Sequence, residues 1–181
     1  MFGINIKQWR WKMEKNEFWV NGFKITILNK PAFKAIGLSK FLYCSDGHSI
    51  GDFLNEIKNN GQLNKLEKTI NYPQHVWVSL SDNEGTPNSD CRCTVCIFET
   101  EKHDFSQFEK NELFSFDIPA SEWADYEVNE KQSPTELHQG DVYKMIGETG
   151  YKFNQKVGLH FDNEHEWEPG KKMHFLLPVT K

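Results

Sequence analysis

The sequence predicts an α+β domain made of two pseudo-symmetric βαββ halves, whose antiparallel strands form one curved sheet with helices on one face. Three observations lead there. A strand, a Pro-Ala pair and a second strand occur in that order twice, each half contains a capped helix, and each helix is followed by two apolar runs of strand length.

The first copy of the paired segment alternates through Ile25 and Ile27, reaches Pro31-Ala32, and resumes with Phe33, Ile36 and Leu38. The second runs from Phe114 through Phe116 and Ile118 to Pro119-Ala120, then continues through Trp123, Ala124 and Tyr126, with Pro119 lying 88 residues after Pro31. Each copy reads as a β-hairpin with Pro-Ala as its turn.

Between the copies, Ser49-Ile50-Gly51-Asp52 has capping-box spacing and Asn60-Gly61 marks a helix end, with Phe53, Leu54 and Ile57 as the buried stripe. A second helical turn follows through Leu63, Leu66 and Ile70. Residues 75–80 and 91–98 read as a strand pair around the polar turn 82–90, and 99–111 as a linker. The second half repeats the order: Ser133-Pro134-Thr135-Glu136, 84 residues after Ser49, opens a helix to about Gly147, and strands follow at 157–162 and 173–179. The domain therefore spans 23–181, with halves at about 23–100 and 112–181. Residues 1–22 form an N-terminal extension rich in Trp and Lys/Arg, read as an added strand or arm.

At 181 residues, 38% hydrophobic and 26% charged, the chain can bury a real core and is not a disordered sequence. A net charge of -5 provides no field for a phosphate backbone, and 22 residues ahead of the domain are too few for a helix-turn-helix, so no direct nucleic-acid binding is expected. Charges interrupt the apolar residues at the start, which leaves no run for a signal or a membrane span, so the expected setting is cytoplasmic and no membrane partner is expected. In that setting the four cysteines are expected to be reduced.

The order of Phe23-Lys24-Ile25, Pro31-Ala32-Phe33-Lys34-Ala35-Ile36-Gly37-Leu38, Ile118-Pro119-Ala120 with Trp123-Ala124, Gly150-Tyr151 and the closing Leu176-Leu177-Pro178-Val179 resembles the GyrI-like family. That family includes the effector-binding domain of AraC-type and related bacterial regulators. The resemblance implies a cleft between the halves that takes amphipathic, often cationic, aromatic molecules. It implies a stand-alone effector-binding or multidrug-sequestering protein connected with transcription regulation. Other members of the wider family modulate DNA gyrase or have been proposed as hydrolases. Two positions depart from the family pattern: Leu159 stands where a Glu is common, and Val142 or Tyr143 where a Trp is common.

The candidate ligand-binding residues are Trp77, Tyr126, Glu122, Tyr143, Phe161 and Phe53. Flat aromatic faces suit a planar ligand and attract a cation through the ring quadrupole, while the plain alternative is that these rings are core. Of Trp123 and Tyr126, which point to opposite strand faces, Tyr126 is assigned to the cleft. Glu122 and the acidic Asp162, Glu164, Glu166 and Glu168 are candidates for a negative rim, against the alternative of a solvated loop.

Cys91, Cys93 and Cys96 have thiolate-ligand spacing, but a strand turns Cys96 away from the other two, so they read as core cysteines. His160, His165 and His174 lack a tight ligand spacing. No metal and no cofactor is expected. No nucleophile-elbow, zinc-protease, P-loop or dinucleotide fingerprint occurs, so catalysis, as a hydrolase of reactive electrophiles using Glu122, is the secondary reading. The expected partner is a small amphipathic or aromatic ligand, with a protein such as gyrase or a regulator as the other class.

Overall fold

The computed structural model describes residues 16–43, 49–69, 76–81, 90–99, 103–109, 111–166 and 168–181. The expectations for Trp9 and Trp11, Cys44, Ile70, His75 and most of the 82–90 turn lie outside the described residues.

The strands are β1 (Asn16–Val20), β2 (Phe23–Lys30), β3 (Phe33–Leu42), β4 (Trp77–Ser81), β5 (Cys91–Phe98), β6 (Phe114–Ile118), β7 (Ser121–Val128), β8 (Lys152–Phe153), β9 (Leu159–Asp162) and β10 (Met173–Thr180). The helices are α1 (Ile50–Asn59), α2 (Gln62–Glu67), α3 (Pro134–Gln139) and α4 (Val142–Glu148). All ten strands join one antiparallel, curved sheet in the order β1-β2-β7-β10-β9-β4-β5-β3-β6, with β8 paired to β10. Taking β2, β3, β4 and β5 as counterparts of β6, β7, β9 and β10, exchange of the halves reads the order from β2 to β6 backwards. The pseudo-two-fold passes between β4 and β9, where Val78 faces Asp162 and Leu80 faces His160.

The hairpins expected at the two Pro-Ala pairs do not form. β2 pairs with β7 and β3 with β6, so each chain segment runs through its Pro-Ala pair and crosses into the other half. Lys30 faces Ser121 and Phe33 faces Ile118, and the same register continued between them sets Pro31 opposite Ala120 and Ala32 opposite Pro119. The reason is backbone chemistry. A two-residue hairpin requires positive φ, which Pro cannot adopt and Ala disfavours. Asn21-Gly22, at φ 50° and 81°, meets that requirement and closes the true hairpin between β1 and β2.

The expected βα order otherwise holds, and β4–β5 and β9–β10 pair as read from the sequence. Both capping boxes are present. The Ser49 hydroxyl accepts from the Asp52 N–H at 3.1 Å, and the Ser133 N–H donates to the Glu136 carboxylate at 2.7 Å. The helix expected from Ser133 to about Gly147 is instead two helices. Asp141, at φ 58°, ends the first and caps the second by accepting from the N–H groups of Tyr143 and Lys144 at 3.1 and 3.2 Å. The first half breaks at the equivalent place, with Gly61 at φ 79° between α1 and α2.

Strand alternation sorts the core into two helix-side clusters and one on the opposite face. α3 and α4 cover Ile25, Ile27, Ala124, Tyr126, Phe175 and Leu177, while α1 and α2 cover Leu38, Val78, Cys93, Val95 and Ile97. The register places both sets on one face, because Val78 faces Val95 and Asp162, and Asp162 faces Phe175. The opposite face carries Ala35, Trp77, Cys96, Ile118, Trp123, Phe161 and Leu176 and receives none of the four helices.

Candidate functional site

The helix-free face is built by residues one step out of phase with the helix-side core. Phe33 and Ala35 come from β3, Trp77 from β4, Cys96 and Phe98 from β5, Phe116 and Ile118 from β6, Trp123 from β7, and Leu159 and Phe161 from β9. Their rings touch continuously across the pseudo-two-fold. The Trp77 and Phe98 rings are stacked with centroids 5.3 Å apart and 6° between planes. Phe33 meets Phe98 edge-on at 4.8 Å and lies 6.0 Å from Trp123, and Phe161 lies 5.0 Å from Phe98 and 5.7 Å from Trp123. Phe161 and Trp123 are fully buried, whereas Phe33 and Phe98 are partly exposed. Beside Phe33, at the corner where the segments cross, is a cavity of about 440 Å³ lined by Ala32, Phe33, Asp117, Ile118 and Pro119.

Among the polar groups of this face are Trp123 Nε1 and Lys30 Nζ, beside the rings. The Trp123 Nε1–H is buried without a hydrogen-bond partner among the described residues, although indole N–H groups are ordinarily satisfied when buried. Lys30, at the end of β2, is 8% exposed and holds its Nζ 5.8 Å from the centroid of the Phe98 ring. Burial lowers the Lys30 pKa, opposed by the charge of Asp125.

Further along the face, Asp125 and Glu127 are already engaged. Asp125 Oδ1 lies 2.8 Å from His174 Nδ1, and Lys172 Nζ donates to Glu127 Oε1 at 2.8 Å.

The residues expected to bind ligand are divided between the faces. Trp77 and Phe161 are in the aromatic cluster of the helix-free face. Tyr126 lies on the opposite face, under α4, donating its hydroxyl to the Val142 carbonyl at 2.7 Å, and its burial pushes the phenol pKa up. Of the pair, Trp123 is on the helix-free face and Tyr126 on the helix side. Phe53 packs between α1 and the sheet, Tyr143 packs against Phe153 at 5.5 Å, and Glu122 shares the alternation of Ala124 and Tyr126.

The acidic residues are each held by burial or by a partner. Asp162 is buried on the helix side and burial raises its pKa. Glu164 pairs with His138 at 3.1 Å, Glu166 accepts from the Val76 N–H at 3.0 Å, and Glu168 meets Lys171 at 2.8 Å.

Cys91, Cys93 and Cys96 are in no disulfide, and burial first, then the charges of Cys91 and Asp162, pushes Cys93 up to about 12. Such a thiol is a poor nucleophile and a poor metal ligand. Among the described residues no group of three or more His, Cys, Asp or Glu could hold a metal ion. No described helix is long and apolar enough to cross a membrane.

The residues of this aromatic face that were not among the sequence candidates are Trp123, Phe33, Phe98 and Lys30. Their signal was one of phase: each stands out of step with the apolar positions that meet the helices, so a second buried surface was readable once those positions were set aside.

The profile of the GyrI-like small molecule binding domain matches residues 23–159, about three quarters of the chain. The chain belongs to the GyrI-like family. No curated protein matches the sequence significantly.

Among solved structures, the GyrI-like domain is similar to SAV2435 bound to tetraphenylphosphonium, at 11% identity and a TM-score of 0.64, over 86% of this chain and 93% of that one. It is also similar to the C-terminal domain of EcmrR, at 13% identity and a TM-score of 0.55, over 88% and 98% of the two chains. A third likeness is to a hydrolase encoded by lin2189 of Listeria innocua, at 9% identity and a TM-score of 0.51, over 86% and 91%. At these identities the likeness is one of fold.

Proposed function

We propose that this GyrI-like protein binds a hydrophobic aromatic small molecule on the helix-free face of its sheet, against Phe33, Trp77, Phe98, Trp123 and Phe161. It does so without catalysing a reaction, in effector sensing or ligand sequestration. The observation that carries this reading is the continuous ring cluster at the pseudo-two-fold, which includes a buried indole N–H with no partner among the described residues. Aromatic rings present flat, polarisable faces to a planar guest, and a few convergent polar groups then fix its orientation. The cavity beside Phe33 is the entry point in this reading. A tetraphenylphosphonium complex of a protein of the same fold supports a lipophilic aromatic guest, and the EcmrR domain supports a role in sensing for transcription regulation.

Titration with planar aromatic dyes of either charge, followed by tryptophan emission, tests the reading. The expected result is a saturable change that Trp77→Phe diminishes. A flat response to every dye overturns it.

A further inference from the structure

The strand order ends at β6, and no described residue pairs with its outer side. Sheets ordinarily protect such an edge with Lys, Pro, a bulge or a covering loop. β6 reads Phe114-Ser115-Phe116-Asp117-Ile118, and its one charge, Asp117, faces Lys34 on β3. Phe114, Phe41 and Tyr43, at 38%, 40% and 49%, are three of the four large hydrophobic side chains exposed among the described residues, and all three belong to β6 or to the end of β3 beside it. The fourth, Trp19, is on β1 at the opposite edge.

The two ends of β6 are complementary in shape. At its start the Phe114 ring is open to solvent and packs on Phe116 at 5.6 Å and on the Arg92 guanidinium at 4.9 Å, which hold it in place. At its other end is the cavity of about 440 Å³ lined by Ala32, Phe33, Asp117, Ile118 and Pro119. Alternation puts Phe114 on the face that carries Ile118 and its partner Phe33.

We propose that a second copy of this chain docks on this edge, β6 against β6 in antiparallel sense about a two-fold through Phe116. That register pairs all five residues: Phe114 of one copy meets Ile118 of the other, Ser115 meets Asp117, and Phe116 meets its own counterpart. Each copy's exposed ring then stands beside the other's cavity, so the contact is reciprocal and closes as a dimer rather than growing into a fibre. Ring on ring, ring on aliphatic and hydroxyl on carboxylate are all favourable cross-strand pairs.

Five paired residues run about 17 Å, and with their rings they cover on the order of 300–400 Å² per copy, about half of a standard stable interface. The dimer is therefore weak and depends on concentration. In the ligand reading above the same cavity is the entry, so a ligand would load the monomer, but the dimer itself does not depend on that reading.

Sedimentation equilibrium of the full chain, from about 10 μM to about 1 mM, tests it, with a dimer Kd expected on the order of 100 μM. Phe114→Glu removes the ring and Ala32→Trp fills the cavity, and each should weaken the dimer about tenfold or more. Trp19→Ala, on the other edge, should leave it unchanged. A wild-type chain that stays monomeric at about 1 mM overturns the proposal. So does a dimer that both Phe114→Glu and Ala32→Trp leave intact, or one that Trp19→Ala abolishes. Ala32 is exposed, so its variant and the wild-type measurement decide the matter even where Phe114→Glu does not fold.

Discussion

The Trp77 indole lies parallel to the Phe98 ring, 6° between planes and 5.3 Å between centroids, although the two residues sit on neighbouring strands and one diagonal step apart. The stack joins the floor of the helix-free face to its partly exposed rim. Because Phe98 is only partly buried, Phe98→Ala should lower the affinity for an aromatic probe about tenfold while the protein stays folded. Phe161→Ala removes a fully buried ring and should cost about 3–5 kcal/mol of stability. Probe titration beside urea unfolding separates the two effects.

Tyr126 is the contrasting case. Its hydroxyl donates to the Val142 carbonyl at 2.7 Å on the helix side. Tyr126→Phe should cost about 0.5–1.5 kcal/mol by urea unfolding, since one buried hydrogen bond is lost. Probe affinity should not change. A loss of affinity without a loss of stability would place the ligand on the wrong face of the sheet in this account.

Gly37 lies where β3 passes against β5. A Cβ there would stand 2.0 Å from the Val95 carbonyl oxygen and 2.5 Å from Cys96 Cα, both backbone atoms that cannot rotate away. Gly37→Ala should therefore separate β3 from β5 and cost about 3 kcal/mol or more, or abolish folding. Thermal unfolding checks it, and a midpoint near that of the wild type would contradict the close packing of these strands.

His174 makes stability depend on pH. Burial disfavours its charged form, but the hydrogen bond and charge of Asp125, with the charge of Glu127, outweigh burial and the Lys172 charge, so its pKa is raised. The native state then holds the proton more tightly than the unfolded chain. This contribution is fully present below about pH 6.5 and is lost as pH rises through the higher native value. Asp125→Asn should therefore destabilise the protein more at about pH 6 than at about pH 8.5 by urea unfolding. An equal effect at both would remove the linkage.

Much of the fold was legible, because capping boxes and period-two alternation are local. Ser49-x-x-Asp52 and Ser133-x-x-Glu136 located helix starts that the structure confirms. The repeat around Pro31 and Pro119 identified two related halves, but not that their strands exchange partners. Strand partners are a tertiary choice, and only the chemistry of positive φ, met by Asn21-Gly22 and not by Pro-Ala, hinted at it. The helix break at Asp141 was hidden because Asp at positive φ is uncommon.

The site was half legible for a similar reason. Alternation told that Trp123 and Tyr126 face opposite ways. It could not tell which face the helices would cover, and they cover the face of Tyr126.

A crystal structure with tetraphenylphosphonium bound tests the central claim most directly. The ligand is expected on the helix-free face, its phenyl rings against Phe33, Phe98 and Trp77. A ligand between the helices and the sheet, around Tyr126 and Phe53, would contradict it.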